Sequence, residues 1–297
     1  GNGHYRSVHQ NRRMDTWFFP EIADANLHTF MDLIQLDGYN PLEVRGVSFT
    51  VTDRGGLEKW LKELAGGADI SGVLTLTAEP FTPGRFLREL EKTVTIPPAR
   101  YRKIVSRLLT FCRQIDCGGL HEGFWIDHWT YNLDLIDSYL MIFPDRLKEL
   151  LIGRKDYTFF DDPDVVLPRA EKLVEAGEKI RCYGAVVRDP AKEELIAARR
   201  DRPHQVRTRR GKGTIYTTTL LVKLLCVAAN RLATLDPEQR GMEMEADKPG
   251  WNDSMNGLPG IIGSALGEAL ELERLLGFIR DSLKTLTRKG SFKAAVY

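Results

Sequence analysis

Near the C-terminal end of the chain, Ile262, Ala265, Leu266, Ala269, Leu272, Leu275, Leu276, Ile279 and Leu283 recur at three- and four-residue steps. At about 3.6 residues per turn those positions gather on one broad face. The segment from Ile261 to Leu286 is therefore predicted to be a long helix with one side buried. Such a helix needs other apolar stripes to pack against, and the sequence supplies them. Tyr101, Ile104, Val105, Leu108, Leu109, Cys112 and Ile115 follow the Pro97–Pro98 start signal. Trp129, Leu133, Ile136, Leu140 and Phe143 form a second stripe that ends at Pro144. Leu27, Phe30, Met31 and Ile34 share a face within 23–36, closed by Gly38 and Pro41, and a run from Thr214 to Leu235 is stopped by Asp236–Pro237. Shorter helices are expected near 57–65, 84–92, 144–153, 168–176 and 190–200. Strand signals are few: Val44–Val51, with weaker ones at Val73–Thr77 and Arg181–Val187. The expectation is a mainly α fold with long irregular connections and a few short strands, in a single domain spanning 1–297.

Charge and motif content exclude several classes. Forty-two Lys and Arg against 41 Asp and Glu leave a net charge of +1. That balance gives no general attraction to nucleic acid or to an anionic membrane. The most apolar run is interrupted by Lys223 and Arg231, so no membrane span is expected, and the polar opening GNGHYRSVHQ lacks the apolar centre of a secretory signal. The four cysteines form no CxxC pair, and Cys112 and Cys226 fall inside apolar helical runs, where they read as small buried hydrophobes. The six histidines show no HxH or HExxH spacing, so no metal and no cofactor are expected. A reduced, cytoplasmic protein fits this pattern. The chain opens without Met and polar chemistry begins at once, which suggests a piece of a longer protein.

Three clusters could carry chemistry. In residues 4–17, HYRSVHQNRRMDTW, arginine forks, amides and Asp15 are suited to gripping hydroxylated or anionic ligands; the bland alternative is a solvated basic terminus. In 121–134, HEGFWIDHWTYNLD, aromatic residues interleave with Glu122, Asp127, His128, Asn132 and Asp134. Aromatic faces stack on pyranose rings while carboxylates and amides take the hydroxyls. Trp129 and Leu133 fit the core stripe, so Trp125 and Asp127 are the better site candidates, with a plain helix cap as the other reading of Asp127. In 248–260, KPGWNDSMNGLPG, glycine and proline force an irregular loop that presents Trp251, Asn252, Asp253 and Asn256. The basic run 199–212 holds seven Lys or Arg in fourteen positions with no interleaved aromatic. Its default reading is a solvated loop, with phosphate or nucleic-acid binding as the alternative.

The stretch Tyr5-Arg6-Ser7-Val8-His9-Gln10-Asn11 resembles the YRDxNQD motif of cellobiose and chitobiose phosphorylases and related β-glucan oligosaccharide phosphorylases. Trp251-Asn252-Asp253-Ser254-Met255-Asn256 resembles their WNDxxN loop, and Asp127-His128-Trp129 is similar to part of their DDHLW segment. The order along the chain is the same. The resemblance covers most of the chain but only part of the family's catalytic domain. It implies an (α/α)6 barrel, or six-hairpin toroid, of which this chain would form part. It also implies inverting phosphorolysis of β-linked gluco-oligosaccharides to glucose 1-phosphate, with inorganic phosphate as co-substrate, and a homodimer or the remainder of a longer parent chain as partner.

The family's general acid is the last Asp of YRDxNQD, and here that position is Asn11, which has no carboxylic proton to give. Ser7 replaces the motif's first Asp. The catalytic candidates are therefore Asn11 by position, Asp15 as first choice for a relocated acid and Asp127 as second. Arg6, Gln10, Arg12, Glu122, Trp125, His128, Trp251, Asn252, Asp253 and Asn256 are the candidate substrate-binding residues. With phosphate as nucleophile one carboxylic acid suffices; with water a second carboxylate must act as base. An inverting hydrolase or transglycosylase, and a non-catalytic carbohydrate-binding remnant, remain the alternatives. The family's phosphate-binding residues lie largely beyond the WNDxxN loop, and the chain ends soon after it.

Overall fold

A computed structural model describes residues 3–41, 43–45, 48–115, 118–119, 126–182, 186–199, 201–243 and 264–288. The sequence candidates Glu122, Trp125, Trp251, Asn252, Asp253 and Asn256 lie outside the described residues. The fold is mainly α with short strands. The chain divides into two compact units: a smaller one formed by Arg45–Cys117 with Gly1–Asn2, and a larger one formed by Gly3–Val44 and Gly118–Tyr297.

The larger unit opens with β1 (Gly3–His4), α1 (Tyr5–Arg12), α2 (Asp15–Phe18), α3 (Ala25–Met31) and β2 (Glu43–Val44). In the smaller unit follow β3 (Phe49–Val51), α4 (Arg54–Ala65), α5 (Ser71–Leu76), α6 (Pro83–Leu90), α7 (Tyr101–Leu109) and β4 (Cys112–Gln114). The chain re-enters the larger unit at β5 (Gly118–Gly119), which pairs antiparallel with β2 so that Val44 faces Gly118. The smaller unit is thus an insertion whose exit and return points are held together by a strand pair. After it come α8 (Asn132–Ile142), a π-helical turn at Glu149–Gly153, β6 (Asp164–Val166), α9 (Arg169–Lys172), β7 (Leu173–Ala176), β8 (Lys179–Cys182), β9 (Val186–Arg188) and α10 (Pro190–Ala197). Next are α11 (Leu220–Ala233), β10 (Met242–Glu243), β11 (Ser264–Ala265) and α12 (Leu266–Arg288).

Helix ends are set by ordinary capping chemistry. The Asp53 carboxylate accepts from Gly56 N at 2.9 Å to start α4. Thr82 caps α6 ahead of Pro83, and Asp189 accepts from Ala191 and Lys192 to start α10 behind Pro190. Each cap satisfies amide donors that the first turn leaves without helical partners. In the smaller unit the apolar faces of these helices meet in one core of Leu57, Leu61, Val73, Phe81, Phe86, Leu90, Ile104 and Leu108. The larger unit's core gathers Phe30, Ile34, Trp129, Leu133, Ile136, Tyr157, Leu224, Val227, Leu272, Leu275 and Ile279. Trp129 is packing, as its place on the stripe implies.

Three local expectations are corrected. Val73–Thr77 is not a strand but lies within and just after α5. Ile70, Val73 and Thr77 are buried at helical spacing, and the Thr77 hydroxyl donates back to the Val73 carbonyl at 2.8 Å. The stripe through 101–115 stops being helical at Leu109, because Cys112–Gln114 pairs with Phe49–Val51. Cys112 is consequently a half-buried strand residue, whereas Cys226 does sit on α11, also half-buried. Finally, 168–176 yields only the short α9 before β7, which forms a hairpin with β8. Ala176 pairs with Lys179 across a two-residue turn, and Gly177 at φ +66° supplies the left-handed backbone that such a turn demands.

Candidate functional site

Helix α1 sorts its motif residues by face. Tyr5 and His9, four apart, point into the core and are fully buried. The Tyr5 hydroxyl donates to the Phe30 carbonyl at 2.9 Å, with Asn132 Oδ1 3.4 Å away. Burial without charge compensation raises the Tyr5 phenol well above its ordinary value, so it works as a neutral donor. His9 stacks on Phe30 at a centroid distance of 4.0 Å, and neither ring nitrogen has a hydrogen-bond partner among the described residues. Burial lowers its pKa to about 3, keeping the imidazole neutral.

Arg6 lies one step round the helix. Its Nη1 meets Asp127 Oδ2 at 2.5 Å, with both side chains nearly buried at 11% and 5% exposure. Asp127 and His128 belong to the turn that leads into α8. Asp127 is therefore no simple helix cap: one oxygen takes Arg6, and its buried Oδ1 has no hydrogen-bond partner among the described residues. His128 is fully buried, and its ring lies parallel to Tyr5 at 6.1 Å. Desolvation, followed by the positive field of Arg6, holds its pKa well below the usual histidine value.

Two residues that the motif reading did not single out complete this group. Arg231 on α11 is buried, with its guanidinium 5.6 Å from the Trp129 ring centroid and 5.4 Å from that of Tyr39. Glu268, in the first turn of α12, has a buried Oε2 with no hydrogen-bond partner among the described residues. Its carboxyl is raised to about 7, first by burial and then by the negative charge of Asp127; Arg231 and Arg6 pull in the other direction. Two carboxyl groups with unpartnered buried oxygens thus share one electrostatic neighbourhood with two arginines. One is tied into an ion pair, and burial raises the other to about 7. Divergent carboxyls of this kind can divide acid and base roles between them. A sequence signal for Glu268 did exist: it precedes the buried Leu272, Leu275 and Ile279 at steps that keep it on the same stripe.

The remaining described candidates do not join the group. Gln10, Asn11 and Arg12 are exposed on the outer side of α1. Asp15 accepts from Arg12 Nη1 at 3.2 Å and from Asn26 Nδ2 at 3.1 Å. Trp17 is 40% exposed beside them, followed by the still more exposed Phe18 and Phe19. The structure thus places Asp15 on an outer polar and aromatic edge, and Arg6, Asp127 and His128 in the interior cluster. Among the described residues, no set of three His, Cys, Asp or Glu is gathered for a metal, and no helix is long and apolar enough to cross a membrane. No family model matches the chain, and no curated protein matches it significantly.

Proposed function

We propose that the larger unit is part of the (α/α)6 catalytic barrel of an inverting enzyme acting on β-linked gluco-oligosaccharides, with inorganic phosphate as the attacking group. The observation that carries this reading is the pair of carboxyls near Arg6, the buried Asp127 and the half-buried Glu268, each with one buried oxygen that has no hydrogen-bond partner among the described residues. Glu268, protonated near neutral pH, gives its proton to the glycosidic oxygen as the bond to the anomeric carbon breaks. A phosphate oxygen attacks that carbon from the opposite face, giving glucose 1-phosphate and a shortened oligosaccharide, and phosphate surrenders a proton to restore the acid. Arg6 and Arg231 supply positive charge to an incoming anion, and the free Oδ1 of Asp127 is an acceptor for a sugar hydroxyl. The relocated acid in this proposal is Glu268 rather than Asp15, because Glu268 shares the cluster and Asp15 faces outward.

Hydrolysis is the second reading, and the same carboxyl pair favours it, since Asp127 could activate water. The test is sugar release from a panel of β-linked gluco-oligosaccharides with and without inorganic phosphate. Glucose 1-phosphate formed only with phosphate supports phosphorolysis, whereas phosphate-independent release of reducing sugar supports hydrolysis. Neither product from folded protein would overturn both and leave a binding role.

A further inference from the structure

The basic run 199–212 is only in part the solvated loop its composition suggests: Arg209, Arg210 and Lys212 are exposed, but Arg199 is not. Arg199 follows α10 and its side chain is only 6% exposed. Nη1 alone carries its bonds, to Asp161 Oδ2 at 2.7 Å and to the carbonyls of Pro203 and Gln205 at 2.7 and 3.1 Å. The other edge of the guanidinium, Nε and Nη2, is buried with no hydrogen-bond partner among the described residues. Arg199 lines a cavity of about 350 Å³ together with Lys192, Arg207 and Arg210, against the carboxyls of Asp37 and Asp161. Asp161 is shared between Arg199 and Lys192, whose Nζ lies 3.2 Å from Oδ1. Four cations against two carboxylates leave the cavity positive, and Arg207 Nε is a further buried donor with no hydrogen-bond partner among the described residues.

Gly211 brings backbone without a side chain beside the Arg199 edge. Gly211 has φ +86°, and a Cβ there would lie 2.9 Å from Arg199 Nη2 and 2.5 Å from Leu195 Cδ2. Arg209 and Arg210, both at positive φ, turn the chain to bring Gly211 to this position. A planar Nε–Nη2 edge presents two parallel donors, the arrangement that matches two oxygens of one phosphate group. The cavity is larger than inorganic phosphate needs and falls in the size range of small-molecule sites.

We infer that this cavity binds the phosphate group of a small phosphate monoester, held by the Nε–Nη2 edge of Arg199 with Lys192, Arg207 and Arg210 around it. The inference goes beyond the carbohydrate reading and does not depend on it, since binding here needs no turnover. The test is calorimetric titration of the full chain with glucose 6-phosphate, and with glucose and inorganic phosphate for comparison. Saturable binding of the monoester, competition by phosphate and silence from glucose are expected. Arg210→Glu, at an exposed position, should weaken binding at least tenfold while the helical circular dichroism stays unchanged. Arg199→Lys, which keeps the charge and removes the fork, should weaken it as much; if that variant does not fold, Arg210→Glu decides. No saturable monoester binding, or an affinity unmoved by Arg210→Glu, would overturn the site, the second because the phosphate would then be bound elsewhere.

Discussion

The two units are built on opposite principles. In the smaller one the buried residues are apolar, with Thr77 the exception among those described, and Thr77 satisfies itself through its own helix. Its polar contacts include caps and surface pairs, such as Asp53 on α4 and Lys62 with Glu58, and short ties to backbone, such as Arg54 to the Leu74 carbonyl and Thr52 to that of Phe111. The larger unit buries His9, Asp127, His128, Lys223 and Arg231 almost completely. Lys223, in the first turn of α11, sends Nζ to the carbonyls of Ile34 and Thr158 at 2.8 and 2.6 Å and lies 3.5 Å from the Phe159 ring centroid. Burying ionisable groups costs stability unless each is paired or neutralised. The smaller unit carries almost none of that cost among its described residues, and the proposed site draws on the larger one.

The sharpest way to break this contrast is Glu268→Gln. Turnover should fall by about 10²–10⁴, the usual worth of a positioned general acid. Wild-type activity should itself decline as pH rises through about 7, where Glu268 loses its proton. The folded carboxyl holds its proton up to about 7 against an ordinary 4.5, so between those values the native state binds more protons than the unfolded one. Stability therefore drops as pH rises through that window, and Glu268→Gln should be more stable than wild type at pH 8, by about 2 kcal/mol in urea unfolding. An active variant, or one less stable at pH 8, would remove Glu268 from the site.

Lys223→Ala should cost the larger unit about 3 kcal/mol, through a cavity and a Thr158 carbonyl left without its donor. Hydrogen exchange in α4 and α6 should not change, and faster exchange there would mean the units do not unfold separately. His9→Phe tests the same contrast through acid. The folded His9 pKa of about 3 lies below the ordinary 6.5, so the unfolded chain takes up the proton first and native stability is lost as pH falls from 6.5 towards 3. The phenylalanine variant should lose about 2 kcal/mol less than wild type between pH 7 and 4.5. Equal acid sensitivity would show that His9 is not the buried neutral group described. The smallest effect belongs to the smaller unit: Asp53→Ala should cost about 1 kcal/mol and speed amide exchange in the first turn of α4.

The stripes that needed only periodicity were legible in the sequence as α8, α11 and α12, although α11 starts at Leu220 and not at Thr214, because Ile215 and Thr218 bridge to Arg207 and Tyr157, and α12 starts at Leu266, after the short β11. What periodicity missed depended on partners distant in sequence. Cys112–Gln114 leaves the helical stripe because Phe49–Val51, some sixty residues earlier, needs a strand beside it. The hairpin at β7–β8 turns on Gly177, which a short helical reading absorbs as a helix end. In the site, Arg6 and Asp127 were visible as motif residues, but their pairing spans 121 positions and no spacing rule reaches that far. Glu268 shares the periodic stripe of Leu272, Leu275 and Ile279, but spacing alone does not bring it to Asp127 and Arg231. Only the packing of α12 against α11 turns it inward. Arg199 was hidden by neighbours whose exposed charges suggested a loop in water.

The strand pair that closes over the insertion bears on how the chain reaches its fold. Residues 45–117 form a contiguous stretch whose own ends are drawn together by the pairing of Phe49 with Gln114. Closing a loop of that length in an unstructured chain carries an entropy cost that grows with the logarithm of its size. Once the contiguous segment has folded, Val44 and Gly118 are delivered as near neighbours and most of that search has already been made. A preformed insertion would leave the discontinuous larger unit a short effective tether to close, in place of a loop of more than seventy residues.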